Sequence, residues 1–194
     1  MYNPSAWKKR RAIIFVAMIA TSIALFLGLY QWHVIHWIWD PIFGDNGTMK
    51  VLSSALSHDI IKIIHIPDAI VGAFAYFCDV AFALIGSNRR WKERPWIVIL
   101  FGISVIPVGI VSILLVLAQG LIVKHWCFWC FLTAICSLVL IFLAYDEVSA
   151  SCTYLQEIKK RGGKKLFWRS FWGYPCAESS DAAEAVLQKR RSSK

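Results

Sequence analysis

The chain has 194 residues, a single-domain length, and 58% of them are hydrophobic, with a mean hydropathy of +0.55. That leaves too little polar surface for a water-soluble globule, so a bilayer has to be the solvent. The formal charge of +9 lies in clusters that flank apolar stretches, which makes it an orientation signal first and nucleic-acid binding the weaker reading.

Residues 1–11 carry Lys8, Lys9, Arg10 and Arg11 and no acid, which predicts a cytoplasmic N-terminus. The apolar stretch from Ala12 to about Trp39 follows. It runs past the length of a signal-peptide core and has no small-residue cleavage site, so it reads as a retained helix. His33 and His36 fall three apart on that helix, beside Trp32, Trp37 and Trp39, where histidines serve as polar anchors at the interface. The connection from Asp40 to His65 is poor in positive charge and predicted to face outward. It opens with the turn formers Pro41, Gly44, Asp45, Asn46 and Gly47. Leu52, Leu56, Ile60, Ile63 and Ile64 then recur at helical spacing, which predicts a short amphipathic helix on the membrane surface.

Ile66–Gly86 is the second span, with Pro67 at its start, where a missing N–H is tolerated. Arg89, Arg90, Lys92 and Arg94 put the next connection in the cytoplasm. Pro95–Val123 is the third span, with Pro107 in its interior, and Trp126–Tyr145 is the fourth. Each reaches the roughly 20 residues that cross a hydrocarbon core of about 30 Å. The period-2 alternation of barrel strands is absent, so the expected fold class is all-α, an integral membrane four-helix bundle with a short amphipathic helix in its first outer loop. Residues 12–145 form the transmembrane domain, and 146–194 form a cytoplasmic tail. That tail is basic and aromatic, with Lys159, Lys160, Arg161, Lys164 and Lys165 ahead of Phe167, Trp168, Phe171 and Trp172. It suits either an anionic lipid surface or a partner subunit. Gln188–Lys194 reads as disordered.

Of six cysteines, Cys152 and Cys176 fall in the reducing cytoplasm and Cys78 and Cys136 fall mid-helix, so all four are expected unpaired. Cys127 and Cys130 combine close spacing with an outward, oxidising location at the start of a helix. A helix N-terminus stabilises thiolate, and a disulfide can close within one turn, so the pair suits redox chemistry. A structural disulfide and a zinc site are the competing uses, and zinc needs two further ligands for which the histidine spacings resemble no zinc pattern.

Three segments carry a resemblance: Val51-Leu52-Ser53-Ser54; Ile66-Pro67-Asp68-Ala69-Ile70-Val71-Gly72 with Tyr76; and Trp126-Cys127-Phe128-Trp129-Cys130-Phe131-Leu132-Thr133-Ala134. In order and spacing these resemble the vitamin K epoxide reductase family of membrane quinone reductases, with their DsbB-like architecture. The resemblance implies a four-helix bundle around a quinone of the ubiquinone or menaquinone type near the outer face. It implies that Cys130 reacts with the quinone, that Cys127 exchanges with a shuttle disulfide, and that Asp68, with Ser54, belongs to the quinone site. Family members that oxidise proteins carry two shuttle cysteines in the first outer loop, and residues 40–65 contain none. Gly47, Thr48, Met49 and Lys50 stand at the expected position.

Two functions follow. One is a quinone-linked thiol–disulfide oxidoreductase of the inner cell membrane, fed directly by a partner dithiol such as that of a thioredoxin-like protein. The other is a non-catalytic accessory subunit of a larger membrane complex, to which the missing cysteines and the long tail point.

Overall fold

The computed structural model describes residues 3–44, 47–54, 66–174, 176 and 178–192. Its elements are the helices α1 (Trp7–Gln31), α2 (Gly47–Leu52), α3 (Asp68–Leu84), α4 (Arg90–Glu93), α5 (Pro95–Ala118), α6 (Phe128–Phe171) and α7 (Ser179–Ser192), with a π-helical turn at Gln119–Val123 between α5 and α6. No strand occurs among the described residues, and the protein is an all-α membrane protein. Among the described residues, three helical segments are long and apolar enough to cross a bilayer: Trp7–Gln31, Pro95–Val123 and the helix that begins at Phe128. With 17 residues, α3 rises about 26 Å, a little under a typical hydrocarbon thickness. Most of the expected amphipathic helix, residues 55–65, lies outside the described residues, and α2 covers only its first turn.

The first apolar stretch leaves the helix eight residues before Trp39. His33 adopts a left-handed backbone (φ 60°), and the N–H groups of Val34 and Ile35 turn back onto the carbonyl of Leu29, which ends α1 at Gln31. His33 and His36 therefore do not share a helix face. α3 starts where Pro67 predicts, its carbonyl accepting the N–H groups of Ile70 and Val71 at 3.0 and 3.2 Å, and Pro107 lies inside α5.

The chain forms two compact units. One comprises residues 15–80 and 104–141 and contains segments of α1, α3, α5 and α6. Glycines let its helices approach closely: a Cβ at Gly28 would strike Ile70 of α3, and one at Gly109 would strike Ile141 of α6. The fully buried Asp79 of α3 accepts the hydroxyl of Ser104 on α5 at 2.7 Å.

The other unit comprises residues 1–14, 81–103 and 142–194. Its centre is polar. Arg90, fully buried, grips both carboxylate oxygens of Glu147 at 2.6 and 2.7 Å, and Ser5 donates to the same group. Arg10, also fully buried, donates to the carbonyls of Ala83, Ile85 and Gly86, and so satisfies groups that the end of α3 leaves open. Beyond Tyr145, α6 continues because Ala150, Tyr154, Leu155 and Ile158 form a buried stripe at helical spacing against Trp91 and against Ala182, Ala183 and Val186 of α7. Gly163, at φ 68° and ψ −165°, breaks α6 where a side chain would be strained. Gln188 to Ser192 are helical rather than disordered: the apolar stripe docks α7, and Arg190 bonds to Asp146.

Glu147→Ala leaves two buried donors on Arg90 without their acceptor. It is expected to destabilise this unit by about 3–5 kcal/mol, the range for breaking a buried ion pair, read as a lowered melting temperature in detergent.

Candidate active site

The π-helical turn Gln119–Val123 and a left-handed Lys124 (φ 56°) reverse the chain after α5 and deliver Cys127 to the start of α6. Cys127 and Cys130 are joined by a disulfide, with Cα atoms 5.3 Å apart. The Cys127 sulfur also accepts the N–H of Cys130 at 3.1 Å, in the manner of an N-cap oxygen. The backbone N–H of Cys127 donates to Oε1 of Gln119 at 3.2 Å.

Asp40 completes this helix start. It is 4% exposed. Its Oδ1 accepts the N–H groups of Ile42 (3.1 Å) and Phe43 (2.8 Å), while Oδ2 accepts the hydroxyl of Thr48 (2.6 Å) and the N–H of Phe128 (3.4 Å). Burial pushes the Asp40 carboxyl up, but the bonds from Thr48 and from the Phe43, Ile42 and Phe128 amides more than offset it and hold it below its usual 3.8. Nearby, the indole N–H of Trp129 donates to the carbonyl of Trp39 at 2.8 Å. A Cβ on Gly47 would come within 2.8 Å of the Trp126 carbonyl. Trp39, Asp40, Gly47 and Thr48 are thus strapped onto the residues around the cysteine turn, and Thr48, one of the residues standing where a shuttle cysteine is expected, is held by a hydrogen bond.

The two sulfurs differ in environment. Cys127 is fully buried, whereas Cys130 is partly exposed and lines a cavity of about 110 Å³, comparable to the roughly 150 Å³ that admits a benzene ring. Its walls are apolar, with Ala24 and Leu27 from α1, Val51 and Leu52 from α2, Ala69 and Gly72 from α3, and Leu115 and Val116 from α5. Polar groups converge on it from Ser54, Asp68, Tyr76, Ser112, Gln119 and Thr133. An apolar cleft with a few placed hydrogen-bonding groups is what a small ring with polar substituents requires. All four expected site residues fall here: Cys130, Ser54 and Asp68 on the wall, and Cys127 bonded to Cys130 behind it.

Asp68 is held by Gln31, whose amide nitrogen donates to Oδ1 while its oxygen accepts the N–H of Ala69 at 3.3 Å. The Tyr76 hydroxyl pairs with that of Ser137 at 2.6 Å and lies 3.4 Å from that of Ser112, a small hydroxyl network at one wall. Gln31, Asp40, Gln119 and the Tyr76–Ser137 pair are additions to the sequence reading. Gln31 and Gln119 are amides at the ends of apolar helices, a signal that could have marked them. Cys78, Cys136, Cys152 and Cys176 are free, as their locations predict. Among the described residues no group of three or more His, Cys, Asp and Glu comes together to hold a metal.

A disulfide closes the first turn of a membrane helix, and one of its sulfurs lines a ring-sized cavity, an arrangement that suits thiol–disulfide chemistry in a bilayer. The sequence model of the Vitamin K epoxide reductase family matches residues 11–145, well over half the chain, and the protein belongs to that family. Its members are membrane thiol–disulfide oxidoreductases linked to quinones. No curated protein matches the chain, and no solved structure does.

Denatured without reductant, the protein is expected to take up four maleimide labels, and after reduction six. Mass spectrometry of the intact chain checks this, and the two extra labels should map to Cys127 and Cys130.

Proposed function

We propose that this protein is a quinone-linked thiol–disulfide oxidoreductase in which Cys130 delivers electrons to quinone and Cys127 exchanges with a partner dithiol. The observation that carries this reading is the asymmetry of the pair: Cys130 lines the cavity and Cys127 does not. In the overall reaction the dithiol loses two electrons and two protons and closes to the disulfide, and the quinone takes up both. A bound quinone supplies the electron-accepting ring. Asp68, steadied by Gln31, and the hydroxyls of Ser54 and Tyr76 line the space for its polar edge, and the apolar wall excludes water from it.

On the positive-inside pattern, both termini of this inner-membrane protein lie in the cytoplasm, α3 is the second of four spans, and the cysteine pair lies near the outer face. Oxidised Cys127 is fully buried, so exchange with a thioredoxin-like or other partner requires its surroundings to open. A second reading, as a subunit of a membrane complex, is favoured by the separate compact unit with its exposed Trp168 and Trp172. Stoichiometric copurification with other membrane subunits after mild extraction would support it.

Purified protein given a short-chain quinone should oxidise a reduced dithiol catalytically. Cys130→Ser should abolish turnover, and unchanged turnover in that variant would sink the reading. Asp68→Ala is expected to raise KM for the quinone about tenfold, the effect of losing one hydrogen bond of about 1.4 kcal/mol.

A further inference from the structure

The helix end that carries Cys127 also carries a charge. Asp40 makes two kinds of contact, and they can be separated. Oδ1 accepts from Ile42 and Phe43, a turn that an asparagine oxygen would serve equally well. Oδ2 faces two further donors, the Thr48 hydroxyl and the Phe128 N–H, where an asparagine would present an NH₂ group with no lone pair to offer. The second oxygen, and with it the negative charge, is what the site specifically uses.

Phe128 N–H belongs to the first residue of α6, and the Cys127 sulfur receives the N–H of Cys130 from the same turn. When the disulfide opens, a Cys127 thiolate would draw on the positive end of this helix. The Asp40 carboxylate, buried, already occupies that end through the N–H of Phe128, the residue next to Cys127. Two like charges sharing one helix terminus out of water repel each other, so the carboxylate disfavours the thiolate. A thiolate that is harder to form makes the dithiol a weaker resting state and a better electron donor.

We propose that Asp40 is a positioning residue that poises the Cys127–Cys130 couple toward the disulfide, by holding a carboxylate at the helix end where the Cys127 thiolate forms. Oδ2 of the same carboxylate ties Thr48 to the first turn of α6. The proposal deepens the redox reading of the pair and does not depend on the quinone.

The test equilibrates the full-length protein in detergent, without quinone, in mixtures of reduced and oxidised dithiothreitol. In the exchange the protein disulfide gains two electrons and two protons and becomes the dithiol, while reduced dithiothreitol loses both and closes its ring. Acid quenching, maleimide labelling and mass spectrometry give the dithiol fraction. Asp40→Asn should shift the equilibrium about tenfold toward the dithiol, a midpoint about 30 mV higher. Thr48→Val loosens the strap but keeps the charge, and should shift it less than threefold. If Asp40→Asn does not accumulate, Asp40→Ser, which keeps a turn-forming oxygen without charge, should give the same tenfold shift. An unshifted midpoint in the neutral variants, or an equal shift in Thr48→Val, overturns the proposal. If the wild-type pair instead fails to re-form its disulfide at any dithiothreitol ratio, the redox reading itself falls.

Discussion

The start of α6 is the point on which the site depends. A helix leaves its first N–H groups without partners, and in a buried setting each of them has to find one. Here Phe128 N–H goes to Asp40 and Cys130 N–H to the sulfur of Cys127, while the Cys127 N–H just ahead of the helix goes to Gln119. Satisfying the backbone therefore brings together the cysteine pair, the outer segment and the end of α5. A requirement of folding in lipid doubles as the assembly of the proposed redox centre.

From that arrangement comes the inequality of the two sulfurs. At the N-cap position Cys127 is fully buried, while Cys130, one turn on, lines the cavity with Thr133. Gly28 and Gly109 draw neighbouring helices close. The hydroxyls of Tyr76, Ser112 and Ser137 pair with one another at one wall of the cavity. In the other unit, Arg10 closes the end of α3 through backbone carbonyls and Arg90 pairs with Glu147, so the polar groups buried there are satisfied by the protein rather than by solvent.

Much of this was legible in the sequence. Long apolar runs fix membrane helices because length and hydropathy are local properties, and the ends of α3 and α5 follow from Pro67 and Pro95. The resemblance of their flanking segments named Cys127, Cys130, Asp68 and Ser54 together, and the fold brings them to one cavity and its adjoining disulfide. The end of α1 was not, because hydropathy continues through Trp39 while a left-handed His33 stops the helix. Nor was the role of Asp40, since its partners are Thr48, eight residues on, and Phe128, 88 residues on. The order of α7 depends on a stripe of α6 that only tertiary packing reveals, which is why a polar C-terminus read as disorder.

Photolabelling tests the central claim most directly. With a quinone bearing a photoreactive group on its ring, illumination of the membrane-embedded protein should label peptides containing Cys130, Tyr76 or Asp68, and excess unmodified quinone should suppress the label. Saturable labelling confined to other segments, with the Cys130 peptide unmodified, would contradict the account.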